Sequence, residues 1–164
     1  MPGGPLPVVN LKGTTMHTIH PSRFLKVVLF ADAAVSGAVA LLQLLAGKLL
    51  TGLLALPAVL LLESGVFLVA YVGLLLLIAT RRRVWSWLVW AVIAGNVAWA
   101  VGCLSLLKLL PALGSGPASS LGVAFLLVQA FTVLAFSLLE WRGWRMSAVA
   151  TWARQPAENA AAVS

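Results

Sequence analysis

Residues 24–47 read FLKVVLFADAAVSGAVALLQLLAG, and only Lys26 and Asp32 interrupt the run with a charge. An α-helix rises about 1.5 Å per residue, so roughly 20 apolar residues cross about 30 Å of hydrocarbon. The stretch is long enough and apolar enough to do so. Three further stretches share its character: about 57–80, broken only by Glu63, about 84–107, and about 118–140. A chain in lipid must satisfy its own backbone hydrogen bonds, which leaves helices or closed barrels. Barrel strands would be about half as long and would alternate in polarity. These stretches do neither, so they predict four transmembrane helices.

Composition agrees. Of 164 residues, 62% are hydrophobic and 9% charged, where soluble domains carry roughly 25% charge. A soluble globule, a disordered chain and a nucleic-acid-binding domain are all excluded. Cys103 is the one cysteine, which rules out an internal disulfide or a CxxC redox pair. It reads as a small packing residue.

The spans define three segments. Residues 1–22, with Pro, Gly, Thr and His, predict a mobile cytoplasmic tail, with Met16 as an alternative start. No signal-peptide pattern is present, because the first apolar run is too long and no cleavage site follows it. Residues 23–145 form the transmembrane domain. Residues 146–164 are expected to form a cytoplasmic tail that includes Trp152 and becomes Ala-rich, with room for a short interfacial helix followed by disorder. The connection 48–56 is apolar but too short to cross, and predicts an interfacial or re-entrant turn with Pro57 opening the next helix. The second connection is Arg81, Arg82 and Arg83, and the third, 108–117, is rich in Gly, Ser and Pro. Short connections force antiparallel neighbours. The predicted fold is therefore an all-α, up-down-up-down four-helix bundle.

Basic residues orient it. Lys12, Arg23, Lys26, Arg81, Arg82, Arg83, Arg142, Arg145 and Arg154 fall on one side, and Lys48 and Lys108 on the other. This positive-inside asymmetry places both termini in the cytoplasm. Trp85, Trp87, Trp90, Trp141 and Trp144 gather at the same boundary, where amphipathic rings anchor at headgroup depth. The arginine triplet adds attraction to anionic lipid.

Small side chains mark packing surfaces. Ala33 and Gly37 are spaced by four on the first helix. Ala91, Gly95, Ala98 and Gly102 make one stripe on the third. Such stripes let helices approach closely, inside the bundle or against another protein.

Each span also carries one strongly polar residue: Asp32, Glu63, Asn96 and Gln129. A charged side chain at the bilayer centre costs about 2.5–3.5 kcal/mol on insertion scales. These groups must face inward, where they either glue helices together or line a polar cavity. Asp32, Ser36 and Gln43 share one face of the first helix. Gln129, Thr132, Phe136 and Glu140 share one face of the fourth. The Tyr71 hydroxyl is placed to join the set. Glu140, beside Arg142 at the expected cytoplasmic end, is expected to snorkel to the surface. The intramembrane polar cluster expected from sequence is Asp32, Ser36, Glu63, Asn96 and Gln129.

His17 and His20 have no further ligand near them, so no metal site is expected, and no cofactor. No nucleophile-elbow, phosphate-loop, dinucleotide or zinc-protease motif is present, so no enzymatic activity is expected.

The segments FADAAVSGA (30–38), LLALP (53–57) and AGNVAWA (94–100) resemble small four-span integral membrane proteins of bacteria. The resemblance covers 24–140 and implies a multi-pass protein of the inner membrane. It treats Asp32, Leu56, Pro57, Asn96 and Trp99 as parts of one design and carries over no catalytic residue. Two functions are expected. The first is a structural or accessory subunit packing against a larger membrane complex or a second copy of itself. The alternative is a small-molecule or proton-coupled binder or carrier built on Asp32, Glu63, Asn96 and Gln129. The expected partners are membrane lipids and another membrane protein or a second copy, with no nucleic acid.

Overall fold

A computed structural model describes residues 18–112 and 114–161, with side chains as far as Thr151. The expectations resting on Lys12, Met16 and His17, and on the side chains of Trp152 and Arg154, lie outside it. In chain order the elements are β1 (Thr18–Ile19), α1 (Arg23–Leu45), α2 (Gly47–Leu54), α3 (Ala58–Thr80), β2 (Val84–Trp85), α4 (Ser86–Ala112) and α5 (Ser120–Ala161). Apart from one two-residue strand pair and short connections, the described chain is helical. Four helices are long and apolar enough to cross a membrane: α1, α3, α4 and the Ser120–Thr151 part of α5.

Helix α1 starts where the Ser22 hydroxyl accepts the Leu25 amide at 3.1 Å, an N-cap worth about 1 kcal/mol. It stops at Ala46, which leaves helical geometry with φ −110° and ψ 19°. The connection predicted as a turn is a fifth helix, α2. Its register buries Leu50 and Leu54 and exposes Lys48, Leu49 and Leu53. It ends at Ala55, which adopts left-handed geometry with φ 52°. Leu56 and Pro57 then extend the chain, because a residue before proline disfavours helix.

The loop entering α5 caps both helices it touches. The Ser119 amide and hydroxyl donate to the carbonyls of Leu54 at 3.0 Å and Leu53 at 2.6 Å. The same hydroxyl accepts the Gly122 amide at 3.0 Å. The last carbonyls of α2 and the first amides of α5 are thereby satisfied. Gly122 itself lies against the Leu54 carbonyl, with no room for a Cβ.

Both expected tails differ in their described parts. Thr18 and Ile19 pair antiparallel with Trp85 and Val84, so α4 begins at Ser86 rather than 84. The extended entry also hydrogen-bonds α5: His20 N donates to Thr151 Oγ1 at 3.2 Å, and Ser22 N to Ser147 Oγ at 2.9 Å. Helix α5 continues unbroken past 145 because residues 147–151 have this partner. Lacking glycine or proline between Arg145 and Arg154, the chain has no reason to stop sooner.

Two helix pairs carry most of the packing, α1 with α3 and α4 with α5, and α1 also packs on α5. Glycine admits the close approaches. A Cβ on Gly37 would meet Val72 at 3.8 Å, one on Gly65 would meet Leu44 at 3.0 Å, and one on Gly143 would meet the Leu25 backbone at 3.0 Å. The backbones of α3 and α4 come close at few points. Two apolar cores result. One gathers Ile19, Leu25, Leu29, Leu75, Val84 and Val89, and the other Leu50, Leu54, Leu61, Ala100, Cys103 and Leu126.

Candidate functional site

Three helices bring their polar residues to one level. Asp32 stands about nine residues into α1, Asn96 about ten into α4, and Tyr71 about nine before the end of α3. At 1.5 Å per residue each lies about 14 Å from the helix ends nearest the strand pair. Along α4, Asn96 falls between Ile93 of the first core and Ala100 of the second.

At this level the side chains form one hydrogen-bonded cluster. Asp32 is 0% exposed, Asn96 2% and Glu140 0%. Asp32 Oδ1 accepts Ser36 Oγ at 2.9 Å. Asp32 Oδ2 accepts Asn96 Nδ2 at 3.1 Å and lies 3.1 Å from the Tyr71 hydroxyl. Tyr71 also reaches Asn96 Oδ1 at 2.9 Å. Its single proton serves one acceptor at a time. The second Asn96 Nδ2 proton goes to Glu140 Oε2 at 3.2 Å. Glu140 Oε1 has no partner among the described residues.

Glu140 is thus a correction. The snorkelling expected from Arg142 does not occur, because α5 runs on to Ala161 and leaves Glu140 in mid-helix. Gly143 lets α1 close over the same face. The sequence held the signal: Glu140 shares a face with Gln129, eleven residues or three turns away.

Of the five residues expected in the cluster, the structure joins Asp32, Ser36 and Asn96. It adds Tyr71 and Glu140. Glu63 and Gln129 do not belong to it. Glu63 is exposed on α3. Gln129 accepts the Trp99 indole at 3.3 Å.

Those two line a different feature. Because the backbones of α3 and α4 come close at few points, a groove of about 640 Å³ opens between them. Its walls are largely apolar, with Leu60, Phe67, Leu106 and Phe125 among them. Polar groups are few: Gln43, Glu63, Ser64, Ser105, Gln129 and the edge of Trp99. Ser64 Oγ donates to Gln43 Oε1 at 3.2 Å, which ties α3 to α1 beneath Glu63.

The α4 stripe separates from the α1 stripe here. Ala33 and Gly37 pack inside, toward α3 and the first core. Ala91, Gly95, Ala98 and Gly102 are all exposed. The last three line the groove, and a Cβ on Gly95 or Gly102 would meet nothing within 4 Å.

Trp99 stands between groove and cluster. It stacks on Phe67 with ring centroids 5.6 Å apart. It lines the groove and two smaller cavities: about 80 Å³ beside Asp32 and Ser36, and about 30 Å³ beside Ser36, Tyr71 and Asn96.

The expected interface anchors occupy one end of the bundle. Arg81, Arg82, Arg83, Trp85, Trp87, Trp90 and Trp141 are exposed. Trp144 packs edge-on to Trp90 at 5.2 Å and donates to Ser86 Oγ at 3.3 Å. The Arg145 guanidinium covers Trp141 at 5.0 Å. Among the described residues, no three His, Cys, Asp or Glu side chains gather to hold a metal ion.

No family model, curated protein or solved structure matches this chain.

Proposed function

We propose that the protein is a multi-pass membrane protein that binds a small amphipathic molecule in the groove between α3 and α4. The observation that carries this reading is the groove itself. Its volume of about 640 Å³ lies in the range of small-molecule sites, roughly 300–1,000 Å³, which are mostly apolar with a few convergent polar groups. Apolar walls take the tail. Glu63, about 8 Å from the start of α3, takes a head group that donates hydrogen bonds, with Gln43 and Ser64 behind it. An exposed glutamate this close to hydrocarbon is costly without such a partner.

In this reading the spans alternate in direction and both termini face the cytoplasm of a bacterial inner membrane. Contacts support the alternation: Gly37 meets Val72 and Gly65 meets Leu44, so α1 and α3 run oppositely. Asn96 meets Glu140 and Trp99 meets Gln129, so α4 and α5 do too. The exposed arginine triplet supports the orientation.

A second reading is an accessory subunit, or a homo-oligomer, whose partner helix seats on Gly95, Ala98 and Gly102. The open space over both glycines favours it, since small residues admit close helix approach. Purification in mild detergent, with identification of every bound molecule, separates the two. The ligand reading expects a small amphiphile that Gly95→Leu and Gly102→Leu expel while the chain stays folded. A stoichiometric protein released by the same changes establishes the subunit instead.

A further inference from the structure

We propose that Asp32 and Glu140 together hold one exchangeable cation, a proton or an alkali-metal ion, at the level of Asn96. Acceptors outnumber donors in this cluster. Asp32 and Glu140 present four carboxyl oxygens, and Asn96 adds an amide oxygen. Ser36 and Tyr71 supply one proton each and the Asn96 amide two. Those four donors are assigned by the bonds at 2.9–3.2 Å. They leave Glu140 Oε1 without any.

Charge sharpens the count. Both carboxyl residues are fully buried, and every donor named above is neutral. Two uncompensated negative charges in one buried site are strongly unfavourable. Both carboxyls accept from the same Asn96 amide nitrogen, at 3.1 Å and 3.2 Å. Carboxylates only accept, so neither can relieve the other unless a cation lies between them. The groups facing it are Asp32 from α1, Tyr71 from α3, Asn96 from α4 and Glu140 from α5.

The surroundings permit exchange. A cavity of about 30 Å³ borders Tyr71, Asn96 and Ser36, and one of about 80 Å³ borders Asp32. Each exceeds the roughly 10–15 Å³ that one water needs. Trp99 borders both of them and the groove. The inference stands apart from the identity of any groove ligand.

The full chain in detergent or lipid nanodiscs tests it. The sequence holds only four acidic residues, so carboxyl infrared bands are assignable. In sodium-free neutral buffer, the wild type is expected to show a protonated-carboxyl band that shifts in heavy water. Asp32→Asn combined with Glu140→Gln is expected to abolish it, since amides bring their own protons. If the double variant does not fold, Glu140→Gln alone gives the assignment by a shifted or lost band. A band unaffected by sodium assigns a proton. A band replaced by sodium, or a rise in thermal midpoint with sodium chloride but not choline chloride, assigns a metal ion. Absence of both the band and the sodium effect, or a band these variants leave unchanged, overturns the proposal.

Discussion

Asn96 on α4 donates to Glu140 on α5 through an Nδ2···Oε2 hydrogen bond of 3.2 Å. The other proton of the same amide goes to Asp32 on α1 at 3.1 Å, and its carbonyl faces Tyr71 on α3 at 2.9 Å. One side chain therefore joins all four long helices. Interhelical polar bonds in membrane proteins contribute about 0.6–2 kcal/mol each.

Asn96→Leu removes all of these bonds and leaves both carboxyls short of donors. The expected loss is about 2–4 kcal/mol, seen as a lower thermal midpoint in detergent. Gln129→Leu removes one bond, from Trp99 at 3.3 Å, and is expected to cost about 1 kcal/mol or less. Equal effects would remove Asn96 from the centre of the account.

Glycines divide by what faces them. A side chain at Gly143 collides with the Leu25 backbone at 3.0 Å and must part α1 from α5. Gly143→Leu is expected to destabilise by about 1–3 kcal/mol, the usual cost of overpacking. Gly102→Leu meets open space and improves helix propensity by about 1 kcal/mol. Unfolding midpoints should move in opposite directions.

Ala55 holds left-handed geometry at φ 52°, which costs an L-residue about 1–2 kcal/mol. Glycine escapes that cost at the expense of some chain entropy. Ala55→Gly is expected to stabilise by about 0.5–1 kcal/mol in the same thermal assay.

Orientation is tested by labelling. In a Cys103→Ala background, Arg82→Cys and Ser115→Cys each place a thiol at an exposed position. A membrane-impermeant reagent added to intact cells should modify Ser115→Cys alone, and Arg82→Cys only after lysis.

The long spans and Asp32 with Asn96 were legible because burying a polar group in an apolar run admits few outcomes. Periodicity even placed Glu140 on the Gln129 face. Arg142 marks a membrane boundary only where the helix ends, and α5 continues past it. The continuation of α5 depends on His20 and Ser22 bonding Thr151 and Ser147, pairings far apart in sequence. Likewise, Gly95 and Gly102 read the same whether a stripe is packed or open. Only the separation of α3 from α4 shows that Glu63 and Gln129 border a groove.

Photo-crosslinking in lipid nanodiscs tests most directly for an amphiphile in that groove. A photoactivatable long-chain alcohol is added and its adducts are mapped by mass spectrometry. Adducts are expected to concentrate on Phe67, Leu106 and Phe125, and to fall at least several-fold in Gly102→Leu. Adducts spread equally over the outward-facing Val27, Val59 and Val128, and unchanged in Gly102→Leu, would contradict the claim.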